Sequence, residues 1–498
     1  MVIGLDCVPA GLAFDALAGW MPNLGRLRAR GVWGPLRSVD PPITVPAWAC
    51  MTTGRDPGEL GIYGFREPVA GSYGMRLVDA RAVRAPRLWE LAAAAGLRAC
   101  ALFVPPSWPP DARAAREETP DARAARGGPP GALAVAGCFL TPSAAHPWSE
   151  PPSLRARLEA ALGPYPIDVG GFRGADAGPV LAELGRMIDW HLGAARLCWQ
   201  ELDPDLLFVV TIAPDRLHHV AFRHLDPAHP RHDPAHPHVA EARALYARLD
   251  ARVGELVAAA GPEATVIVAS DHGARPLRGS VAINEWLRRE GWLSLDEPPT
   301  ERVPLSGARV RWSRTRAWGE GGYYARVFLN VRGRDPEGCV APENAPGERE
   351  RLADALRAMR GPDGTPLGNR VLVPERHFRA ARGRPPELMV YFGGLDWRSA
   401  GTVSPGGEVF LAGNDTGADD CNHDPDGIVV AAGRGVPSRG RVDGAEVYDV
   451  FATACARLGI AAPQGTLGRD LGDAPPRNVS VSATAAPEQD RGPGGTWP

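Results

Sequence analysis

The stretch Thr265-Val266-Ile267-Val268-Ala269-Ser270-Asp271-His272-Gly273 decides the fold. Its first five residues are an apolar, β-branched run that reads as a buried strand. The run stops at Ser270, and an acid and an imidazole follow at once. In an open α/β sheet, ligands sit in the crevice at the carboxyl ends of the strands, so Asp271 and His272 stand where a metal would be held. Taken alone, the pair reads equally well as turn or cap chemistry, which Asp also serves. The choice depends on whether other strand ends carry ligand-type residues.

They do. Val2-Ile3-Gly4-Leu5 is a second core run and ends at Asp6. Leu206-Leu207-Phe208-Val209-Val210-Thr211-Ile212 is a third, and Asp215 and His219 follow it at a spacing that puts both on one helix face. His423 stands just ahead of Gly427-Ile428-Val429-Val430-Ala431-Ala432, a further core run. Six candidates, Asp6, Asp215, His219, Asp271, His272 and His423, are of the ligand types suited to zinc. The seventh is Thr44, in Pro41-Pro42-Ile43-Thr44-Val45-Pro46-Ala47-Trp48. Prolines on both sides hold its backbone extended, just ahead of a helix expected over 47–53. That setting suits either a nucleophilic hydroxyl at a helix N-terminus, where an anion is favoured, or a helix cap. From the segment alone the cap is the simpler reading.

The chain of 498 residues has room for one large domain with insertions or for two to three domains. A net charge of −3 offers no basic surface to nucleic acid. All 55 basic residues are Arg, so arginine abundance here reflects a coding bias and by itself says nothing of phosphate recognition. No apolar run reaches the roughly 18 residues of a membrane helix, and no signal peptide is visible. Eight scattered Cys without a CxxC pair argue against a disulfide framework and for a reducing cytoplasm.

Helices are expected over 88–95, 180–202, 239–260 and 447–458, the second on a clear amphipathic pattern. The six His between 218 and 238 other than His219, interleaved with Pro and Asp, read mostly as a solvated loop, with a second metal patch as the weaker alternative. These patterns divide the chain into a core over 1–290, an inserted smaller α+β subdomain over 291–390, a closing core part over 391–475 and a disordered tail over 476–498. Within the core, 105–130 is low-complexity and carries DARAAR twice, at 111–116 and 121–126; it reads as a mobile surface insert.

Five motifs run in one order through residues 1 to about 435: Gly4-Leu5-Asp6; Ile43-Thr44-Val45-Pro46-Ala47-Trp48 with Thr53-Gly54-Arg55; Asp215 with His219; Ser270-Asp271-His272-Gly273; and His423 with Asp426-Gly427. In these the chain resembles the alkaline phosphatase superfamily, and within it the type I phosphodiesterase and nucleotide pyrophosphatase branch. The resemblance implies an α/β fold, a three-layer core with a central, mostly parallel sheet flanked by helices. It implies two zinc ions, with manganese as the alternative. Asp6, Thr44, Asp271 and His272 would hold one ion, and Asp215, His219 and His423 the other. Thr44 would be the nucleophile and pass through a covalent phosphothreonine.

Sulfatases share this fold but place a modified Cys or Ser at the nucleophile and an Arg four residues on, where this chain has Thr44 and Trp48. Nucleotide pyrophosphatases usually carry an Asn donor where Phe65 stands here. Arg66 and Arg275 are the residues left to bind phosphate in its stead, or are surface arginines. The expected activity is therefore a cytoplasmic, dizinc hydrolase of a small-molecule phosphate ester, with no nucleic-acid or membrane partner. Diesters or pyrophosphates lead. A phosphomonoesterase or phosphoglycerate mutase-like enzyme, and a metal-stabilised binding protein without activity, are the alternatives.

Overall fold

Three of the core runs lie side by side. In the computed structural model, which describes residues 1–110, 133–174 and 176–473, strand Val2–Leu5 pairs in parallel with Leu206–Thr211 on one side and Val266–Ala269 on the other. They are the centre of a ten-stranded sheet. Its order is Gly440–Arg441, Gly31–Arg37, Asp426–Ala432, Val266–Ala269, Val2–Leu5, Leu206–Thr211, Ala99–Leu102, Leu133–Ala136, Ser149–Glu150, with Ala445–Glu446 also on Gly31–Arg37. Most pairings are parallel. Asp426–Ala432 runs antiparallel to both its neighbours, and Ser149–Glu150 to Leu133–Ala136.

Both faces of the sheet are covered, which is why its central strands are apolar throughout rather than alternating. Ile3, Leu5, Leu207, Val209, Val266 and Val268 point into one core, shared with helices Pro22–Ala29, Gly178–Leu202, Ala213–Leu225 and Pro237–Ala260. Val2, Phe208, Val210, Ile267 and Ala269 point into the other, shared with Thr44–Thr53, Leu88–Ala94 and Val447–Leu458. This is the expected three-layer α/β core with a mostly parallel sheet. At its centre Gly4 admits the Trp48 ring: a Cβ there would lie 2.4 Å from Trp48 Cη2.

Smaller elements depart from expectation. The helix expected over 47–53 starts three residues earlier, at Thr44, and its N-cap is Ile43, with no side-chain cap bond. Proline is tolerated in a first helical turn, where its missing N–H is not needed, so Pro46 does not delay the start. His218, His224 and His229 are buried rather than solvated, because helix Ala213–Leu225 and the turn after it pack inward.

A second sheet, antiparallel, has the order Ala317–Glu320, Ala325–Leu329, Leu388–Tyr391, Arg370–Leu372. Helix Ala345–Arg357 contributes Leu352, Ala353 and Leu356 to the same core. That core reaches past 291–390 on both sides, taking in Val281, Ile283, Trp286 and Leu287 before it and Phe392 and Val409 after it. Most of 105–130, with the repeated DARAAR, and all of 476–498 lie outside the described residues. Among the described residues no helix is long and apolar enough to cross a membrane.

Candidate metal centre

The pairing registers bring the carboxyl ends of the three central strands level: Leu5 lies opposite Thr211, and Gly4 opposite Ala269. Asp6 and Asp271 follow directly at this edge. Asp215 sits in the first turn of helix Ala213–Leu225, with His219 one turn on. His423 arrives on a short strand, Cys421–Asp424, paired antiparallel with Gly273–Pro276. That pairing stacks the His423 ring on His272, centroids 3.9 Å apart. Thr44 heads its helix between them. All seven side chains are buried, none more than 1% exposed.

Around His272 Nε2 lie Asp6 Oδ1 at 3.6 Å, Asp271 Oδ2 at 3.3 Å and Thr44 Oγ1 at 3.4 Å. Around Asp215 Oδ1 lie His219 Nε2 at 3.4 Å and His423 Nε2 at 3.5 Å. Asp215 also groups with Asp6 and His272, so the two clusters adjoin. Two ligands about 2.0–2.1 Å from a tetrahedral metal stand about 3.3 Å from each other, which is the spacing found here.

The polar atoms at the centre face one another as acceptors. The Nδ1 of His272 donates to the Gly273 carbonyl (3.1 Å) and that of His423 to the Pro42 carbonyl (2.9 Å). His219 Nδ1 is bound to Asp419 Oδ1 at 2.7 Å. Nε2 is therefore the atom each ring turns inward. Asp6 Oδ1, Asp215 Oδ1, Asp271 Oδ2 and His423 Nε2 are buried without any hydrogen-bond partner. Native interiors rarely leave such atoms unmet, and four of them converging is the arrangement a cation would satisfy. The donor set of carboxylate, imidazole and hydroxyl fits zinc or manganese.

The charges agree. Burial, then the neighbouring Asp215, pushes the Asp6 carboxyl well above its usual range, and burial, then Asp6, does the same to Asp271. Burial pushes His272 well down and His423 down to about 4. At His219 burial is the largest single influence and acts downward, but Asp419, Tyr323, Cys421 and Asp215 together outweigh it and hold the imidazole well above its ordinary value. Buried carboxylates in excess favour positive charge, whether a proton or a metal ion.

Surrounding groups hold these side chains in place. Trp48 Nε1 donates to Asp6 Oδ2 at 2.7 Å. Arg216 donates to Asp215 Oδ2 and grips Asp168 with two further nitrogens. Asp419, fully buried on its side chain, also receives Arg173 and Arg398. Tyr323 stacks on His423 with centroids 3.6 Å apart, and its hydroxyl is 3.2 Å from His219 Nε2.

A cavity of about 360 Å³ lies beside Thr44, lined by Ile43, Phe65, Arg66, Phe172, Tyr323 and Arg326 among others. Phe65 and Arg66 thus stand at this cavity. Arg275 is not part of its lining: its guanidinium donates to the Gly394 carbonyl and pairs with Asp396 and Asp424. Four residues here have contacts that the sequence reading did not assign to them. Trp48 and Arg216 adjoin motif positions, and Asp419 lies in the acidic run before His423, so some signal existed. Tyr323 is 104 residues from His219 and carries none.

Comparisons with known proteins bear on the family and the fold. The family model described as type I phosphodiesterase / nucleotide pyrophosphatase matches residues 1–419. A search of curated protein sequences finds no match. Among solved structures, phosphonoacetate hydrolase from Sinorhizobium meliloti 1021, in complex with phosphonoformate, superposes with a TM-score of 0.58 at 17% identity, over 92% of this chain and 95% of that one. Human ectonucleotide pyrophosphatase / phosphodiesterase 5 does so with a TM-score of 0.50 at 14% identity, over 93% and 95%. At such identities the likeness concerns the fold.

Proposed function

The chain belongs to the type I phosphodiesterase / nucleotide pyrophosphatase family of the alkaline phosphatase superfamily, and from that membership we propose that it is a two-metal hydrolase of phosphate diesters or pyrophosphates. The observation that carries the proposal is the convergence of four buried, unpartnered acceptor atoms at metal-ligand spacing beside a hydroxyl. Asp6, Thr44, Asp271 and His272 would hold one ion, and Asp215, His219 and His423 the second. When bound, such ions supply Lewis acidity: they acidify a hydroxyl and offset charge on the attacking and leaving oxygens.

The chain's own residues do the rest. Thr44 Oγ1 attacks phosphorus, its bond to phosphorus forms as the ester oxygen departs, and water then cleaves the phosphothreonine. Thr44 heads a helix of ten residues, so the positive end of the helix dipole meets the phosphoryl group. Burial of Thr44 and of all six ligands keeps bulk water from competing with substrate. Trp48 and Asp419, through their bonds to Asp6 and His219, fix the direction of ligand atoms.

Thr44→Ala should lower turnover of a nitrophenyl phosphodiester by at least about 10³-fold while most bound metal remains, measured by steady-state rates and elemental analysis. Undiminished diesterase activity in that variant would sink the assignment. One observation favours a second reading, a phosphomonoester or phosphonate substrate. Of the five arginines lining the cavity, Arg173, Arg216 and Arg398 pair with Asp168, Asp215 and Asp419, and Arg66 and Arg326 share the single carboxylate of Glu320, which leaves a positive charge suited to a more highly charged ligand. Relative rates on nitrophenyl monoester and diester separate the two.

A further inference from the structure

Among the described residues, Tyr323 is the one residue of the centre delivered by the second sheet, from the turn between Ala317–Glu320 and Ala325–Leu329. It is 7% exposed. Its ring lies against His423, and the Arg398 guanidinium stands 4.2 Å from its centroid. These contacts fix the ring, and the ring aims its hydroxyl at the site.

The direction of the hydroxyl's hydrogen bond follows from its neighbours. Arg173 Nη2 lies 3.5 Å from the phenolic oxygen, and a guanidinium can only donate. The oxygen therefore accepts from Arg173, and its own hydrogen is free to be given away. The hydroxyl faces His219 Nε2 at 3.2 Å. That nitrogen is the one a metal ion would meet, since His219 Nδ1 is committed to Asp419. With the ion in place the buried donor needs a new acceptor. The cationic groups beside it, Arg173 and Arg398, cannot serve, and Asp215 is itself a ligand. The hydroxyl also borders the cavity beside Thr44, where an oxygen of a substrate has access to it.

Resting on the two-metal phosphoester reading, we propose that Tyr323 is a catalytic residue whose hydroxyl donates a hydrogen bond to a phosphoryl oxygen on the Asp215, His219 and His423 side of the centre. The neighbouring side chains leave this task open. Phe65 has no donor. Arg216 is taken up by Asp168 and Asp215, and Arg173 and Arg398 are both drawn to Asp419. A neutral donor in a water-poor site, already oriented before substrate arrives, stabilises charge developing on a phosphoryl oxygen without a reorganisation cost.

Tyr323→Phe removes one oxygen and keeps the ring that packs on His423. In zinc-loaded protein the variant should bind inorganic phosphate about tenfold more weakly by titration calorimetry, and lose about 10²-fold in kcat/KM on a nitrophenyl diester. Its zinc content and melting temperature should match the wild type. Equal phosphate affinity and equal kcat/KM would mean that the ring only packs, and loss of zinc would make the hydroxyl a metal ligand; either overturns the proposal. If the zinc-loaded wild type neither binds phosphate nor turns over the diester, the phosphoester reading fails first. If it does both and the variant equals it, only the role of Tyr323 falls.

Discussion

At each of the three histidines of the centre, one ring nitrogen is tied to a backbone carbonyl or a carboxylate and the other faces inward. The tie at His219 differs in kind, because Asp419 brings a full negative charge to the ring. A carboxylate behind a ligating imidazole fixes its orientation and makes it a better donor to a metal. Asp419→Asn keeps the shape and removes the charge. It should weaken metal binding at the Asp215, His219 and His423 cluster by about 10–100-fold, read by competition with a chromophoric chelator, with little change at the Asp6, Asp271 and His272 cluster. Equal loss at both clusters, or none, would contradict this. The candidate ligands were legible because Asp and His at strand ends are conspicuous against apolar runs. Asp419 was not, since an acid within Asp415-Thr416-Gly417-Ala418-Asp419-Asp420 looks like any polar turn until His219 is found against it.

At the scale of elements, the centre depends on where strands stop and one helix starts. The parallel registers set Asp6, Asp215 and Asp271 at one edge of the sheet. Helix Thr44–Thr53 is held against that sheet by Trp48, whose ring occupies the space over Gly4 and whose Nε1 reaches Asp6. Gly4→Ala places a methyl 2.4 Å from Trp48 Cη2 and 2.7 Å from Val210 Cγ2. The ring must move, so the variant should lose about 1–3 kcal/mol in denaturant unfolding and show an altered tryptophan emission. Unchanged stability and emission would show that the sheet yields instead. The existence of these strands and helices follows from hydrophobic period, but the start of the helix at Thr44 does not. Prolines at 41, 42 and 46 read as extended chain, and a proline inside a first turn gives the same local signal as one before it.

Over the whole molecule, the centre joins residues from position 6 to position 423, brought together by the ten-stranded sheet and its helices, the two-stranded ribbon that carries His423 and the second sheet that carries Tyr323. Ion binding at such a junction stabilises the native state by mass action, because the unfolded chain does not preassemble the site. Removing metal with a chelator should therefore lower the melting temperature, and adding back zinc should restore it. At free zinc about 1,000-fold above its dissociation constant the difference corresponds to about 4 kcal/mol. A melting temperature indifferent to chelation would contradict a metal-loaded native state.

Asp6, Thr44, Asp215, His219, Asp271, His272 and His423 could be named from the chain alone, together with the three-layer fold and the family resemblance. Each lies next to an apolar run or inside a local motif, and such patterns survive in a linear string because they depend on residues a few positions apart. What brings Asp215 within reach of His423, or Tyr323 to His219 across 104 residues, is sheet register and the docking of the second sheet. These contacts are made between segments far apart in the chain. They are set by the packing of whole faces rather than by any local preference, so only the tertiary structure decided them.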